Sequence, residues 1–239
     1  VDAEEARLGR SFPVDYAWCC DPTSALATLG DGLPRGDFSR PARRPTRLPS
    51  GSAPFQPVDV IRLLQANLPS ATVFCSDIGN HLLALLQGLS VSEPAQIQLS
   101  LGLGSMGSGI GVAMGLAAAR SRPVTAVCGD GGMLMVGMEL ATCVKYGIAL
   151  TVVVFDDGHL NMVRQGSLRV LGPGDSFQLP MVDFVAWGRS LGCESHRFMK
   201  AEDFSRLSRP AQGPRLIVFP IDAQSTLRNA RERVFNFPE

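Results

Sequence analysis

The stretch "IALTVVVFDDGHLNMVRQ", residues 148–165, decides the fold class because it reads as a buried strand that ends in polar groups. From Ile148 to Phe155, every residue except Thr151 is apolar. A strand that is apolar on both faces is typical of a parallel sheet covered by helices on both sides. Asp156 and Asp157 follow directly, and carboxylates placed there are costly unless cations or hydrogen-bond donors meet them. The stretch therefore predicts an α/β fold with a polar site at one strand end.

Strand-like and helix-like segments alternate through the rest of the chain after residue 57. Strands are predicted in "TVFCS" (72–76), "PVTAVCGD" (123–130), "ESHRF" (194–198) and "RLIVFPID" (215–222), with a short one in "IQLSL" (97–101). Helices are predicted in "VDVIRLLQANL" (58–68), "NHLLALLQGL" (80–89), "GSGIGVAMGLAAA" (107–119), "MELATCVKYG" (138–147), "MVDFVAWGRSLG" (181–192) and "AEDFSRLSR" (201–209). This alternation predicts one parallel sheet with helices on both faces, and ligands outside the carboxyl ends of its strands.

The composition argues against nucleic-acid and membrane-surface partners. Lys plus Arg and Asp plus Glu number 22 each, so no net charge favours a polyanion. The apolar runs are much shorter than a membrane span. The six cysteines form no C-x-x-C pair, and several lie in apolar runs as small hydrophobes, which favours a reducing, cytoplasmic setting. A small-molecule partner is the expectation.

Three regions are predicted along the chain. Residues 31–55 are rich in Pro, Arg, Ser and Gly without strand or helix periodicity, which is typical of a linker. Residues 1–30 are too few to own a core, and they are predicted to be the tail of a preceding domain. Residues 56–239 are predicted to form the α/β domain.

Two aspartates are candidates for a metal site. "CGDGGM", residues 128–133, follows a strand, and its glycines let backbone N–H groups approach a phosphate. Asp157 lies 27 positions after Asp130, with one helix and one strand between, so a right-handed crossover brings both to the same sheet edge. Paired carboxylates suit Mg²⁺. The alternative is that the aspartates cap the next helix, which we expect for Asp156.

Two further glycine-containing motifs lie at predicted strand ends. In "SDIGNHLLALL", residues 76–86, Gly79, Asn80 and His81 fall in the first helical turn, which attracts phosphate. In "SLGLGSMGSGIGVAMGLAAA", residues 100–119, the glycines allow close approach of a ligand ring or of another helix. Met106 is predicted to be a flexible apolar wedge, and tight helix packing explains the later glycines. His196, within a polar strand, is interpreted as structural.

Taken in order, these motifs resemble the thiamine-diphosphate-dependent enzymes of the acetolactate synthase and pyruvate oxidase group. That group carries Gly-Asp-Gly and, after a helix and a strand, a pair Asn-Asn; this chain has "GDGG" at 129–132 and "DDG" at 156–158 in the same register. The segment "HLNMVRQ", residues 159–165, is most similar to the acetolactate synthases. The resemblance implies the thiamine-diphosphate-binding fold, preceded by the end of a middle domain.

The resemblance also implies a set of site residues. Asp130, the Asp157 side chain and the His159 backbone carbonyl would bind Mg²⁺ that bridges the cofactor's phosphates. Contacts to thiamine diphosphate are implied for Gly79, Asn80, His81, Gly104, Ser105, Met106, Gly131, Gly132, Leu160 and Met162. FAD is left open, because the middle domain that would carry it is largely absent from the sequence.

The implied activity is carboligation or cleavage of a 2-oxo acid, as in an acetolactate synthase. No catalytic residue is expected in this chain, because the activating glutamate of this group lies on a pyrimidine-binding domain, in the same or a partner subunit of a homodimer or homotetramer. The alternatives are a non-oxidative decarboxylase that releases an aldehyde and a decayed scaffold domain. A nicotinamide-binding domain is weaker, because no G-x-G-x-x-G opens a helix.

Two positions depart from the resembled pattern. Asp157 stands where the group has asparagine, which adds a negative charge beside the proposed cation and the phosphates. Asn161 stands where the group usually has glycine, so its backbone is expected to avoid or tolerate an unusual dihedral angle.

Overall fold

Six parallel strands form one sheet in the computed structural model, which describes residues 1–10, 13–32, 52–119, 122–172 and 177–225. The strands are β1 Val73–Ser76, β2 Ile97–Leu99, β3 Val124–Gly129, β4 Thr151–Asp156, β5 Glu194–Arg197 and β6 Arg215–Pro220, in the spatial order β2-β1-β3-β4-β6-β5. The pairing of β3 with β4 sets Gly129 opposite Phe155. Because all strands are parallel, their carboxyl ends meet at one edge of the sheet, and the predicted α/β class is confirmed.

Helices connect the strands. They are α1 Pro22–Gly32, α2 Pro57–Asn67, α3 Asn80–Gly88, α4 Ser108–Ala118, α5 Asp130–Val136, α6 Leu140–Tyr146, α7 Asn161–Leu171 and α8 Phe184–Ser190, with 3-10 helices at Glu5–Arg7, Pro94–Gln96, Gly137–Glu139 and Ala201–Ser208. The segment 201–209, predicted as an α-helix, is therefore a 3-10 helix. Helix α7 occupies a segment for which the sequence predicted no element.

The sheet separates two apolar layers, as strands buried on both faces require. Val153 and Phe155 of β4 pack in one layer with residues of α2, α3 and the 3-10 helix Ala201–Ser208. Val152 and Val154, which point to the opposite face, pack with residues of α4, α6 and α8. The predicted helices on both faces of the sheet are thus confirmed.

Four phenylalanines pack the segment before α2 against β6. Phe55 makes edge-on ring contacts with Phe204 and Phe219, whose centroids lie 6.1 Å and 5.9 Å away, and Phe198 lies 5.4 Å from Phe219. The Phe55 N–H also donates to the Pro220 carbonyl at 2.9 Å. This aromatic cluster packs the segment before α2 and the 3-10 helix Ala201–Ser208 against β6.

Close packing of α4 on β1 depends on Gly109. A Cβ atom at Gly109 would lie 2.7 Å from the backbone nitrogen of Asp77 and from the carbonyl carbon of Ser76. Gly111, two positions along the same helix, has nothing within 4 Å of its Cβ position. The predicted packing role of the later glycines therefore holds for Gly109.

The chain divides into two units, residues 1–46 and 47–239. The first unit contains α1 and a short parallel bridge between Asp2 and Cys19. The predicted linker 31–55 lies mostly outside the described residues, α1 extends to Gly32, and the three predicted boundaries stay predictions.

Four of the six cysteines are buried and all six are free. Among the described residues, no helix is long and apolar enough to span a membrane.

Candidate functional site

A pocket lies at the carboxyl edge of the sheet, where the segments after β1, β3 and β4 meet. Its volume is about 90 Å³. Its lining includes Gly79, Asn80, His81, Met106, Asp130, Gly131, Gly132, Asp157, His159, Leu160 and Met162. The structure thus brings together eleven of the thirteen predicted site residues, while Gly104 and Ser105 are not part of the lining.

Asp130 is the first residue of α5 and is nearly buried, with 4% of its surface exposed. Its two carboxylate oxygens accept hydrogen bonds of 2.7 Å from the N–H groups of Gly131 and Gly158. Burial, and then the nearby charge of Asp157, raise the pKa of Asp130 to about 7 despite these two bonds. The two aspartates are therefore close enough to repel one another.

Asp157 is held by donors from the turn that follows it. Its Oδ1 accepts from the His159 N–H at 3.0 Å, and its Oδ2 accepts from Nδ2 of Asn161 at 2.8 Å. Burial raises the pKa of Asp157, while the Asn161 amide, the His159 N–H and the charge of Arg164 act in the opposite direction. The added carboxylate at this position is thus met by donors and by a cation.

Asn161 links Asp157 to the rest of this network. It is buried as the first residue of α7, so its backbone is helical and avoids the unusual dihedral angle, one of the two expected outcomes at this position. Its Nδ2 also donates to the Ala223 carbonyl at 3.0 Å, and its Oδ1 accepts from Nε of Arg164 at 3.1 Å. The positive φ angle in this turn falls instead on Gly158, at 72°.

Asp156 does not cap the next helix. Its Oδ2 accepts from Nη1 of Arg197 at 3.0 Å, across the sheet edge from β4 to β5. Helix α7 begins only at Asn161 and has no side-chain cap. The capping prediction for Asp156 is therefore wrong, because a cation lies on a strand that is distant in sequence but near in space.

His81 is fixed by a buried aspartate that the sequence analysis did not single out. Asp77, which is 1% exposed, accepts from Nε2 of His81 at 2.8 Å through Oδ1 when that nitrogen carries the proton. Its Oδ2 accepts from the N–H of Gly107, the residue before α4. Asp77 thus joins the β1 end to the start of α4 and orients the imidazole in the pocket wall.

Two glycines let neighbouring side chains close over the pocket. A Cβ atom at Gly79 would overlap the His81 ring. A Cβ atom at Gly131 would lie 2.6 Å from a methyl of Leu160 and 3.0 Å from the Met106 methyl. Met106 and Leu160 therefore contact the backbone at the Gly-Asp-Gly motif, as an apolar wedge in this wall would require.

The loop that carries His159 is anchored at both sides. The Leu160 N–H donates to the Phe177 carbonyl and the Leu179 N–H donates to the Gly158 carbonyl, each at 2.8 Å. The His159 ring nitrogen Nδ1 lies 2.7 Å from the Asp157 carbonyl oxygen. His196, interpreted as structural, lies elsewhere, with Nε2 3.1 Å from a carboxylate oxygen of Glu194.

The donor set fits a hard cation that brings other ligands with it. Asp130, which is buried, and Asp157, which is half-buried, provide two carboxylates whose mutual repulsion a divalent cation would relieve. No group of three or more His, Cys, Asp or Glu side chains suited to a metal occurs in the described ranges. A cation here needs backbone, water or phosphate oxygens as well, which is how Mg²⁺ is usually held.

The family match and the related sequences all point to proteins that use thiamine pyrophosphate or are named acetolactate synthases. Residues 77–219 match the family described as thiamine pyrophosphate enzyme, C-terminal TPP binding domain. A protein of Bacillus subtilis whose name describes it as thiamine pyrophosphate-containing is 28% identical over 221 residues, covering 86% of this chain and 38% of the relative. The acetolactate synthase large subunit of Parasynechococcus marenigrum is 30% identical over 229 residues, covering 89% of this chain and 37% of the relative.

A solved structure shares the fold. The thiamine diphosphate-dependent 4-hydroxybenzoylformate decarboxylase of Rhodococcus jostii RHA1 matches with a TM-score of 0.73 and 22% identity, over 90% of this chain and 42% of that chain. This chain therefore spans less than half the length of each of the proteins compared here.

Proposed function

The chain belongs to the thiamine pyrophosphate enzyme family through its C-terminal TPP-binding domain, and from this premise we propose that it holds the diphosphate and Mg²⁺ of the cofactor in an acetolactate synthase-like enzyme. The whole protein would join or cleave 2-oxo acids. The observation that carries this proposal is the pair of aspartates at neighbouring strand ends, the buried Asp130 and the half-buried Asp157, beside a pocket lined by the glycines of the Gly-Asp-Gly motif.

The residues present fit the proposed group. Asp130, Asp157 and the His159 carbonyl would bind Mg²⁺, and the backbone around Gly131 and Gly132 would hold the diphosphate. Gly79, Asn80, His81, Met106, Leu160 and Met162 would line the rest of the cofactor site, with Gly104 and Ser105 reached from the adjoining loop. When bound, thiamine diphosphate supplies a nucleophilic carbon and an electron-accepting ring for cleavage next to a 2-oxo acid carbonyl.

The chain's own residues have positioning roles in this proposal. Asp77 holds His81 in one orientation, and Asn161 with Arg164 holds Asp157, so that both walls of the pocket are pre-organised. Met106 and Leu160 exclude water from the backbone at Gly131. The donors around Asp157 support a binding role over a decayed scaffold, because they offset the charge that the aspartate adds.

The proposal extends to partners. The activating glutamate would come from a pyrimidine-binding domain of the same or a partner subunit, within a homodimer or homotetramer. A reducing, cytoplasmic setting is proposed from the six free cysteines.

Calorimetric titration with thiamine diphosphate and MgCl₂ tests the cofactor proposal, on the chain alone and with the pyrimidine-binding part. Metal-dependent binding is expected, and Asp130→Ala should abolish it because a carboxylate ligand is lost. Asp156→Asn is the matched control: its side chain pairs with Arg197 outside the pocket lining, so binding should stay within about twofold. Absence of binding with both components present would refute the proposal, and unchanged affinity in Asp130→Ala would refute the ligand assignment.

Product analysis tests the reaction class. With pyruvate alone and with a second carbonyl acceptor, a carboligase forms a 2-hydroxy-2-acyl acid, whereas release of acetaldehyde as the sole product would indicate a decarboxylase.

A further inference from the structure

A second cavity lies at the opposite edge of the sheet, at the amino ends of the strands. Its volume is about 500 Å³. It is lined by the starts of β3, β4 and β6, including Val124, Thr151 and Arg215. Strand β4 separates it from the first pocket, because Thr151 begins the strand and Asp156 ends it, roughly 17 Å apart at the usual rise per residue.

Arg215 is the unusual feature of this cavity. It is 4% exposed, and its guanidinium donates to the Arg209 carbonyl at 3.0 Å and to the Thr151 hydroxyl at 3.1 Å. Its Nε is the one buried side-chain nitrogen or oxygen in the described part of the chain that has no hydrogen-bond partner. Buried donors are nearly always paired, so this unpaired N–H indicates a missing acceptor.

The charge of Arg215 also lacks a close counterion. No Asp or Glu oxygen among the described residues comes within ion-pair distance of its guanidinium. Burial lowers the pKa of Arg215, and the charge of Glu194 only partly opposes that effect. The Glu194 side chain is 55% exposed and lies 3.1 Å from His196. A buried cation without a counterion is costly, and an anion in the cavity would offset that cost.

The remaining lining is cationic and apolar. Arg122 and Arg209 also line the cavity, which has no acidic side chain in its lining. Arg122 is engaged by Glu93 at 2.7 Å, whereas the Arg209 side chain forms no hydrogen bond or ion pair with the residues that the structure describes. The apolar part of the wall includes Leu68 and Leu207.

We propose that this cavity is a second binding site, for a small organic anion with a carboxylate or phosphate group on an apolar body. The anionic group would accept from Nε of Arg215 and from Arg209, since a guanidinium edge matches two oxygens of either group. The apolar body would lie against Leu68 and Leu207.

Calorimetric titration of the whole chain with benzoate and with phenyl phosphate tests the proposal and distinguishes the two anionic groups. Saturable binding of at least one is expected, tighter than that of inorganic phosphate, which lacks the apolar body. Arg209→Gln should weaken binding about tenfold, the loss of one charged partner, or 1.4 kcal/mol. The exposed position of Arg209 leaves the fold unaffected, which the thermal midpoint checks.

The control is Arg62→Gln, which removes the same charge from a half-exposed arginine on α2, paired with Asp59, and should leave binding unchanged. Three outcomes would overturn the proposal: no saturable binding, equal affinity in Arg209→Gln, or loss of binding when thiamine diphosphate and Mg²⁺ are added, which would put the anion in the first pocket.

Discussion

At the scale of single residues, the two departures from the resembled pattern are joined by a hydrogen bond. Asp157 and Asn161 contact each other through Oδ2 and Nδ2 at 2.8 Å, and Arg164 binds the other end of the asparagine amide. The acid and the amide therefore form one network. A substitution at either position changes the surroundings of the other.

Asn161→Ala should lower the free energy of unfolding by about 1–3 kcal/mol, because one oxygen of the half-buried Asp157 loses its donor. In the double variant Asp157→Asn with Asn161→Ala the loss should be smaller than the sum of the two single losses, since the side chain at position 157 then carries no charge for the lost donor to offset. Denaturant unfolding of the four proteins measures this coupling. The control is Asn67→Ala, which removes a side-chain hydrogen bond to a carbonyl of its own helix, away from Asp157. If the losses of Asp157→Asn and Asn161→Ala simply add in the double variant, the proposed network is contradicted.

Asp130 should make the stability of the metal-free chain depend on pH. Its pKa is raised to about 7 in the folded chain, so the folded chain keeps this proton in a range where the unfolded chain has lost it. Stability is therefore highest below about pH 4 for this group, falls as pH rises toward 7, and levels off above it. The total loss is on the order of 4 kcal/mol at about 1.4 kcal/mol per pH unit.

Denaturant unfolding between pH 4 and 8 in metal-free buffer measures that slope. Asp130→Asn should flatten most of it, with a remainder of the same sign from Asp157, whose pKa is also raised. An unchanged slope in Asp130→Asn would contradict the environment described for this carboxylate.

The sequence predicted the residues whose positions follow from strand order alone. Asp130 and Asp157 both follow strands, and parallel pairing of β3 with β4 was enough to bring them together. Asp77 was missed although it directly follows β1 and lies four residues before His81, because its other partner, the Gly107 N–H, lies 30 residues away on another element. The partner of Asp156 is likewise 41 residues distant, which is why its capping prediction was wrong.

At the scale of elements, helix α4 offers a matched pair of glycines. Gly109→Ala should lower the free energy of unfolding by about 1–3 kcal/mol, because the new methyl group meets the backbone of β1 at 2.7 Å. Gly111→Ala, in open space on the same helix, should raise it by up to about 1 kcal/mol through helix propensity. Thermal or denaturant unfolding compares the two; equal effects would contradict the packing of α4 on β1.

Periodicity predicted the elements that have one strongly apolar pattern. The helix at 58–68 and the strand within 148–157 match α2 and β4 closely, since burial alone dictates their sequence. Helix α7 was missed although its sequence is amphipathic; Asn161 is its single buried residue, and none of its apolar side chains belongs to either core layer. The short strand predicted in 97–101 is β2, an edge strand whose residues are only half-buried.

At the scale of the whole molecule, the sheet unit is complete within residues 47–239. A chain cut before residue 47 should keep the denaturant midpoint of the longer chain, because both apolar layers of the sheet draw their residues from this unit. Its cofactor affinity should also be unchanged, as the pocket lining lies within it. Circular dichroism and the calorimetric titration check both expectations, and loss of cooperative unfolding would show that residues 1–46 contribute to the core.

The position of β6 between β4 and β5 governs how the chain can fold during its synthesis. β6 is the last of the described strands along the chain, yet it pairs with both β4 and β5 and meets Phe55 through Pro220. Until residues 215–220 leave the ribosome, β5 lacks its neighbour and one edge of β4 is open. The nascent chain therefore exposes an apolar strand edge until β6 has been synthesised, and chaperone binding during that interval would protect it from aggregation.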